Sequence, residues 1–379
     1  MSLLTRKRTL LAKLESAYGT DSSPVGSANA ILVRNLNVKP IAGGLVSRDL
    51  IRPYLGNSPQ LLAEKHVECD FEVELQGSGT VGLAPAYDAL LRACGFTKST
   101  TQLSCTAVCV STVVTVTKAS HGYAVGDKIV MSGFTDTAKN IAAVVTSVTT
   151  NTFNYTAAGA TDENPALGSP KINSAIVYAP VSSAFESVSM YFNLDGVLHK
   201  MLGCFGSVEF NIQVKQIPVM KFTFKGIFAS PTDTAAPSTD FTSFMQPRVV
   251  NTQNTPGFSL NGYSGAMESC SLNMAVDVQY ITLVGEEQVR ILDRKPSGTL
   301  VFEAPTIAGH DFFSDVSNST LGEMYIIHGL GNGYKVKLDC QSVLLGDPSY
   351  QDSNGIQMLS CPFTVNPVSG NDEIAITVY

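Results

Sequence analysis

Several residue groupings in this sequence are of types that could do chemistry. Gly77, Gly79 and Gly82 make a G-x-G-x-x-G spacing between a strand pattern and a helix pattern, where backbone N–H groups could cradle a dinucleotide pyrophosphate. Three features count against it. The preceding residues alternate Glu with apolar side chains, whereas the first strand of a doubly wound sheet is buried on both faces. Pro85 sets the helix start beyond the third glycine, so no helix N-terminus faces a pyrophosphate. No Asp or Glu lies between Asp88 and Asp127 to hold a ribose. The segment reads as a flexible strand-to-helix loop.

The remaining candidates are weaker. His66, His121, His199, His310 and His328 are far apart, with no His-x-x-x-His pair to build a metal face. Gly262-Tyr263-Ser264-Gly265-Ala266 lacks the last glycine of a nucleophile elbow and reads as a turn. Glu286-Glu287 and Asp372-Glu373 sit beside turn residues, where solvated charge is the usual state; glycosidase carboxylates can lie far apart in the chain, so spacing is silent on them. Tyr123, Phe153 and Tyr155 could form an aromatic platform for a sugar, but packing inside a small β module is the simpler reading. The eight Cys are scattered without a Cys-x-x-Cys pair and read as buried thiols. A non-enzymatic protein with no cofactor and no metal is expected.

The elements that must carry these residues belong to a chain of 379 residues, long enough for two or three domains. Charged residues make up 15%, against the ~25% usual for soluble domains, so the surface leans on Ser, Thr, Asn and Gly, as suits subunits that pack against copies of themselves. The formal net charge of -7 argues against general polyanion binding. Arg6, Lys7, Arg8 and Lys13 make the N-terminal tip basic while the rest is acidic. No apolar run of signal-peptide length precedes or follows them, so the chain is expected to stay in the cytosol where it is made. The uncharged run of residues 99–117 is rich in Ser, Thr and Gln and reads as strand, not as a membrane helix.

Period-two alternation dominates. Phe71, Val73 and Leu75 share one face of a strand while Glu72 and Glu74 share the other. Asp195-Gly196 between two alternating runs predicts a two-residue hairpin. The best helix pattern is residues 85–94, with Pro85 in the first turn, a Leu90, Leu91, Cys94 stripe and a stop at Gly95. Residues 104–170 turn Thr, Val and Ala rich and suggest a separate small β module, and residues 229–240 lack periodicity and suggest a linker. On either side of the linker the order repeats: a strand, an Ala-Pro step, a helix, then a hairpin-rich stretch. Phe71 and Leu300 are counterparts in this scheme, and an internal duplication is expected.

The segments VELQGSGTVGLAPAYDALLRACGF, MYFNLDGVLHKMLGCFGSVEFNIQVKQIPVMKFTFKGIFASP and GFSLNGYSGAMESCSLNM resemble the phage major tail protein family, the tail tube subunits of long-tailed, siphovirus-like phages. KASHGYAVGDKIVMSGF with VTSVTTNTFNYTAAG is similar to a small β module found in phage structural proteins. The resemblance implies a mainly β fold: two tandem β-barrel or sandwich domains of tail-tube type, each with a flanking helix, plus an inserted small β domain. The expected division is an N-terminal arm (1–28), a first tail-tube domain (29–103 and 171–228), the insert (104–170), a linker (229–256) and a second tail-tube-like domain (257–379).

That family implies a structural virion protein, assembled in the host cytoplasm into stacked rings around a channel through which DNA passes without specific binding. If the chain is duplicated, three copies supply six domains, so a homotrimer with pseudo-sixfold symmetry is favoured over a hexamer. A tape measure protein and a tail terminator are implied partners. Ring-to-ring contact is expected from the basic tip (Arg6, Lys7, Arg8) and from the loop bearing Arg48, Asp49 and Arg52. A tail terminator, a baseplate hub and a carbohydrate-binding β protein are the alternatives.

Overall fold

The computed structural model describes residues 3–379, so the first two residues of the expected arm lie outside it. The chain is mainly β, with three short α-helices among the described residues and strands throughout. Its backbone is an eight-stranded antiparallel ribbon made of two four-stranded units laid edge to edge. The first unit runs Arg34–Ala42, His66–Glu74, Val219–Phe228, Val197–Gln213; the second runs Met267–Asn273, Ser297–Glu303, Ile356–Val365, Ser349–Ser353. The joint between them pairs residues 209–213 with 269–273, with Phe210 opposite Leu272.

Alternation gives the ribbon two unlike faces, because successive side chains point to opposite sides. One row across it reads Val73, Met220, Phe210, Leu272, all buried; the adjacent row reads Glu72, Lys221, Glu209, Asn273. The apolar face carries the main core, in which Phe71 stacks on Phe222 and Phe224 at ring distances of 5.6 and 5.9 Å. Helix Asp88–Ala93 closes this core with Leu90 and Leu91, held by Tyr178 donating to Asp88 at 2.7 Å. It begins later than the pattern predicts, because Pro85 to Tyr87 form a turn before it. The helix expected after Ala304-Pro305 is Phe312–Ser317, with Phe312 buried.

No run of hydrogen-bonded strands closes on itself among the described residues, so of barrel and sandwich the chain shows only open sheets. Closure fails because the outer strands, Arg34–Ala42 and Ser349–Ser353, each pair along one edge only.

Residues 104–170 enclose their own core around Phe153, Tyr155, Val114 and Met131, in a four-stranded sheet plus the strands Lys128–Phe134 and Ala142–Val144. The strand Gly168–Pro180 ties this core to the main sheet. Lys139 is fully buried there, between Asp136 at 3.0 Å and Glu163 at 2.9 Å. The hairpin at Asp195-Gly196 forms with Leu194 opposite Val197; both turn residues have positive φ, 42° and 104°, as its twist requires. Residues 229–256 are mostly irregular yet lie on the body, with Thr232–Asp233 paired to the strand at Val197 and Val250 buried.

Candidate assembly surface

The residues expected to make ring-to-ring contacts fall in two places. Within the segment expected as an arm, Arg8–Leu14 is a strand between Val188–Leu194 and Ala30–Ile31, and it buries Leu10, Leu11 and Ala12. Arg8 therefore starts a strand, and its guanidinium donates to Leu36 O at 2.9 Å. Lys7 lies 3.5 Å from Asp195, and Arg6 is exposed without an ion pair among the described residues. Arg48, Asp49 and Arg52 lie together elsewhere, on the connection 43–65, where Ser47 donates to Asp49 at 2.8 Å and Arg52 sits 5.8 Å from the Tyr54 ring. The structure does not bring the two groups together.

Connection 43–65 has a counterpart of equal length, 274–296, at the same place in the second unit. The counterpart is a regular hairpin, Val276–Leu283 with Glu286–Arg294, and it lies across the strands of the first unit. Its apolar side is covered: Val278 and Val289 are buried, Tyr280 stacks on His66 at 4.8 Å, and Ile291 packs beside Gly95. Tyr18 fastens it, accepting from Val289 N at 2.6 Å and donating to Val289 O at 3.2 Å. Burial pushes the Tyr18 phenol up to about 12 despite the Val289 contact.

Connection 43–65 is the opposite case. Its only ladder pairs Leu45–Val46 with Leu61–Leu62, and Ile51 (103%) and Leu55 (102%) are fully exposed. Leu45, Leu50 and Tyr54 are exposed as well. Apolar side chains left open in this number mark a surface meant to be covered. At the free edge of the second unit, Tyr350 is 60% exposed, although its counterpart on the ladder, Phe210, is buried.

The other candidates resolve into packing. The Gly77 to Gly82 loop is buried and pinned, a correction to its reading as flexible: Gly79 N donates to Gly333 O at 2.8 Å, and a Cβ on Gly82 would lie 2.3 Å from Asn173 Cβ. Phe153 and Tyr155 are buried and Tyr123 packs edge-on to Phe153, so the aromatic platform that motivated a carbohydrate-binding protein is absent. All eight Cys are free thiols, seven of them buried. No helix among the described residues is long and apolar enough to cross a membrane.

Sequence reasoning missed the pairing of one covered and one open hairpin. The equal lengths of 43–65 and 274–296 held that signal, but only the strand boundaries expose it. Residues 5–378 match the family model described as phage tail tube protein. The chain belongs to the phage tail tube protein family. A comparison with curated proteins finds no match. Tail tube proteins are structural components of the virion that self-assemble, which accords with a surface made of open strand edges and an uncovered apolar hairpin.

Proposed function

We propose that this tail tube protein forms rings of three chains that stack into a tube for DNA passage. The observation that carries this reading is the ribbon of two four-stranded units in the same order, joined edge to edge and open at both ends. An open edge is a liability on a monomer, and a head-to-tail contact whose rotation closes removes it. Three chains then supply six units around one axis.

The polar face of the ribbon lines the channel in this reading. Asp70, Glu72 and Glu209 stand there beside Lys221, beyond the strand ends that hairpin 274–296 covers, with Ser271, Asn273 and Thr299 continuing the surface. Each phosphate neutralised by a cation adds salt-dependent affinity, so an acidic, hydroxyl-rich wall lets DNA slide. The insert 104–170, with its own core, decorates the outside. The protein is non-enzymatic, assembles in the host cytoplasm around a tape measure protein, and is capped by a terminator. Exposed Arg6 is placed to meet the next ring.

Negative-stain electron microscopy of the purified protein tests this. Hollow rods with three knobs around a six-lobed ring are the expected end-on view. Six knobs would mean six chains per ring and would remove the pseudo-sixfold reading, while discrete monomers at high concentration would remove the tube.

A further inference from the structure

The joint inside one chain is a template for the joint between chains. Strand Ser349–Ser353 stands to Ile356–Val365 as residues 209–213 stand to Val219–Phe228: Tyr350 is opposite Leu359 where Phe210 is opposite Met220. Leu359 in turn faces Phe302, and Met220 faces Val73, which makes Phe302 the counterpart of Val73 and Gly298 the counterpart of Cys69. Val38 pairs with Cys69 as Leu272 pairs with Gly298. Since Phe210 is opposite Leu272 within the chain, the same joint made between chains sets Tyr350 opposite Val38.

The hairpins follow the same scheme. In the chain, 274–296 lies across the first unit on His66, at the end of the ladder where His66 is opposite Ile227, two residues beyond Lys225. The counterparts of those three residues in the second unit are Lys295, Thr364 and Asn366. All three line an uncovered groove of about 690 Å³, with Val365 and Pro367 in its wall. The open hairpin 43–65 has nowhere to lie in its own chain, and its fully exposed Ile51 and Leu55 offer the apolar surface that Val278 and Val289 provide in the covered one.

We propose that a second copy of this chain adds its Arg34–Ala42 edge to Ser349–Ser353 with Val38 opposite Tyr350, and lays its 43–65 hairpin in the groove bounded by Lys295 and residues 364–367. This rests on the ring reading above and deepens it. It assigns Arg48, Asp49 and Arg52 to a neighbour within the ring instead of to the next ring.

Two probes on the full chain test the junction, each read beside micrographs of the same sample. In the first, Val38→Cys with Tyr350→Cys is oxidised and run without reductant. Cβ atoms directly opposite on antiparallel strands lie about 4.5–5.5 Å apart, within disulfide reach after small adjustment. Most of the protein is expected to shift from monomer to a covalent ladder ending at trimer, while Asn37→Cys with Tyr350→Cys, on opposite faces, stays monomeric. In the second, a photoreactive phenylalanine analogue replaces Ile51, and isotope-mixed chains report where it attaches. Attachment to residues 291–296 or 364–371 of another chain supports the junction. Rings that form without the Val38–Tyr350 link, or with Ile51 attached to any other segment, overturn the junction and leave the tube standing. Chains that never associate overturn both.

Discussion

Removing one hydroxyl should loosen the covered hairpin without disturbing the core beneath it. In Tyr18→Phe the ring remains stacked on Phe205, 5.8 Å away, but Val289 N–H and C=O lose the hydroxyl that serves both. Val289 is fully buried, and a buried polar group left without a partner costs ~1–3 kcal/mol. Tyr18 itself is 39% exposed, so water reaches one side of the site and the lower end applies. A loss of about 1 kcal/mol corresponds to roughly fivefold faster local opening. Hydrogen exchange of 276–294, with 219–228 as an internal reference, measures it. The phenol adds a pH signature. Its folded value of about 12 lies above the ordinary 10.0, so its contribution is complete below pH 10.0 and fades as pH rises through about 12. In the Phe variant that alkaline loss should be smaller. Unchanged protection of 276–294 in both Tyr18→Phe and Tyr18→Ala would refute the hairpin's fastening by Tyr18.

Four further outcomes are expected. Phe71→Ala removes a buried ring from its stack on Phe222 and Phe224 and should cost about 3–5 kcal/mol in denaturant unfolding. Phe153→Ala strikes the separate core of the insert, so proteolysis should open residues 104–170 first while the ribbon keeps its protection. Gly82→Ala must hold a φ of +72° and put a methyl on Asn173, so it should lower stability by about 1–3 kcal/mol, read as a shifted urea midpoint with unchanged slope. At Asp21, desolvation raises the carboxyl, but hydrogen bonds from Tyr191, Ser23 N and Lys200 outweigh it and hold the group below the usual range. Its stabilisation is therefore present above the ordinary value of 3.8 and lost as pH falls below it, so Asp21→Asn should flatten the acid limb of a stability–pH curve.

Much of the local structure was legible because it rests on short-range rules. The Phe71, Val73 and Glu72, Glu74 alternation named both faces of one strand, and Asp195-Gly196 named its turn, since each depends only on neighbours in sequence. Beside the basic tip the same short-range rules reach less far. Charge marks Arg6 to Arg8 as exposed, but Leu10, Leu11 and Ala12, two residues on, are the residues that decide where the chain goes, and they lie in the sheet. The glycine loop reads as flexible in the sequence because the partner that pins it, the segment around Gly333, is distant in sequence.

The sequence by itself determined the strand-rich character, the polar-against-apolar division of each strand and the likeness to tail tube proteins, because periodicity and phrase are properties of contiguous residues. Tertiary structure alone decided which edges meet. Whether residues 209–213 find Met267–Asn273, or Ser349–Ser353 is left open, depends on the order in which distant strands line up. The contrast between two hairpins of equal length, one laid down and one exposed, arises in the same way. The first finds a surface of its own chain within reach, and for the second the chain provides none.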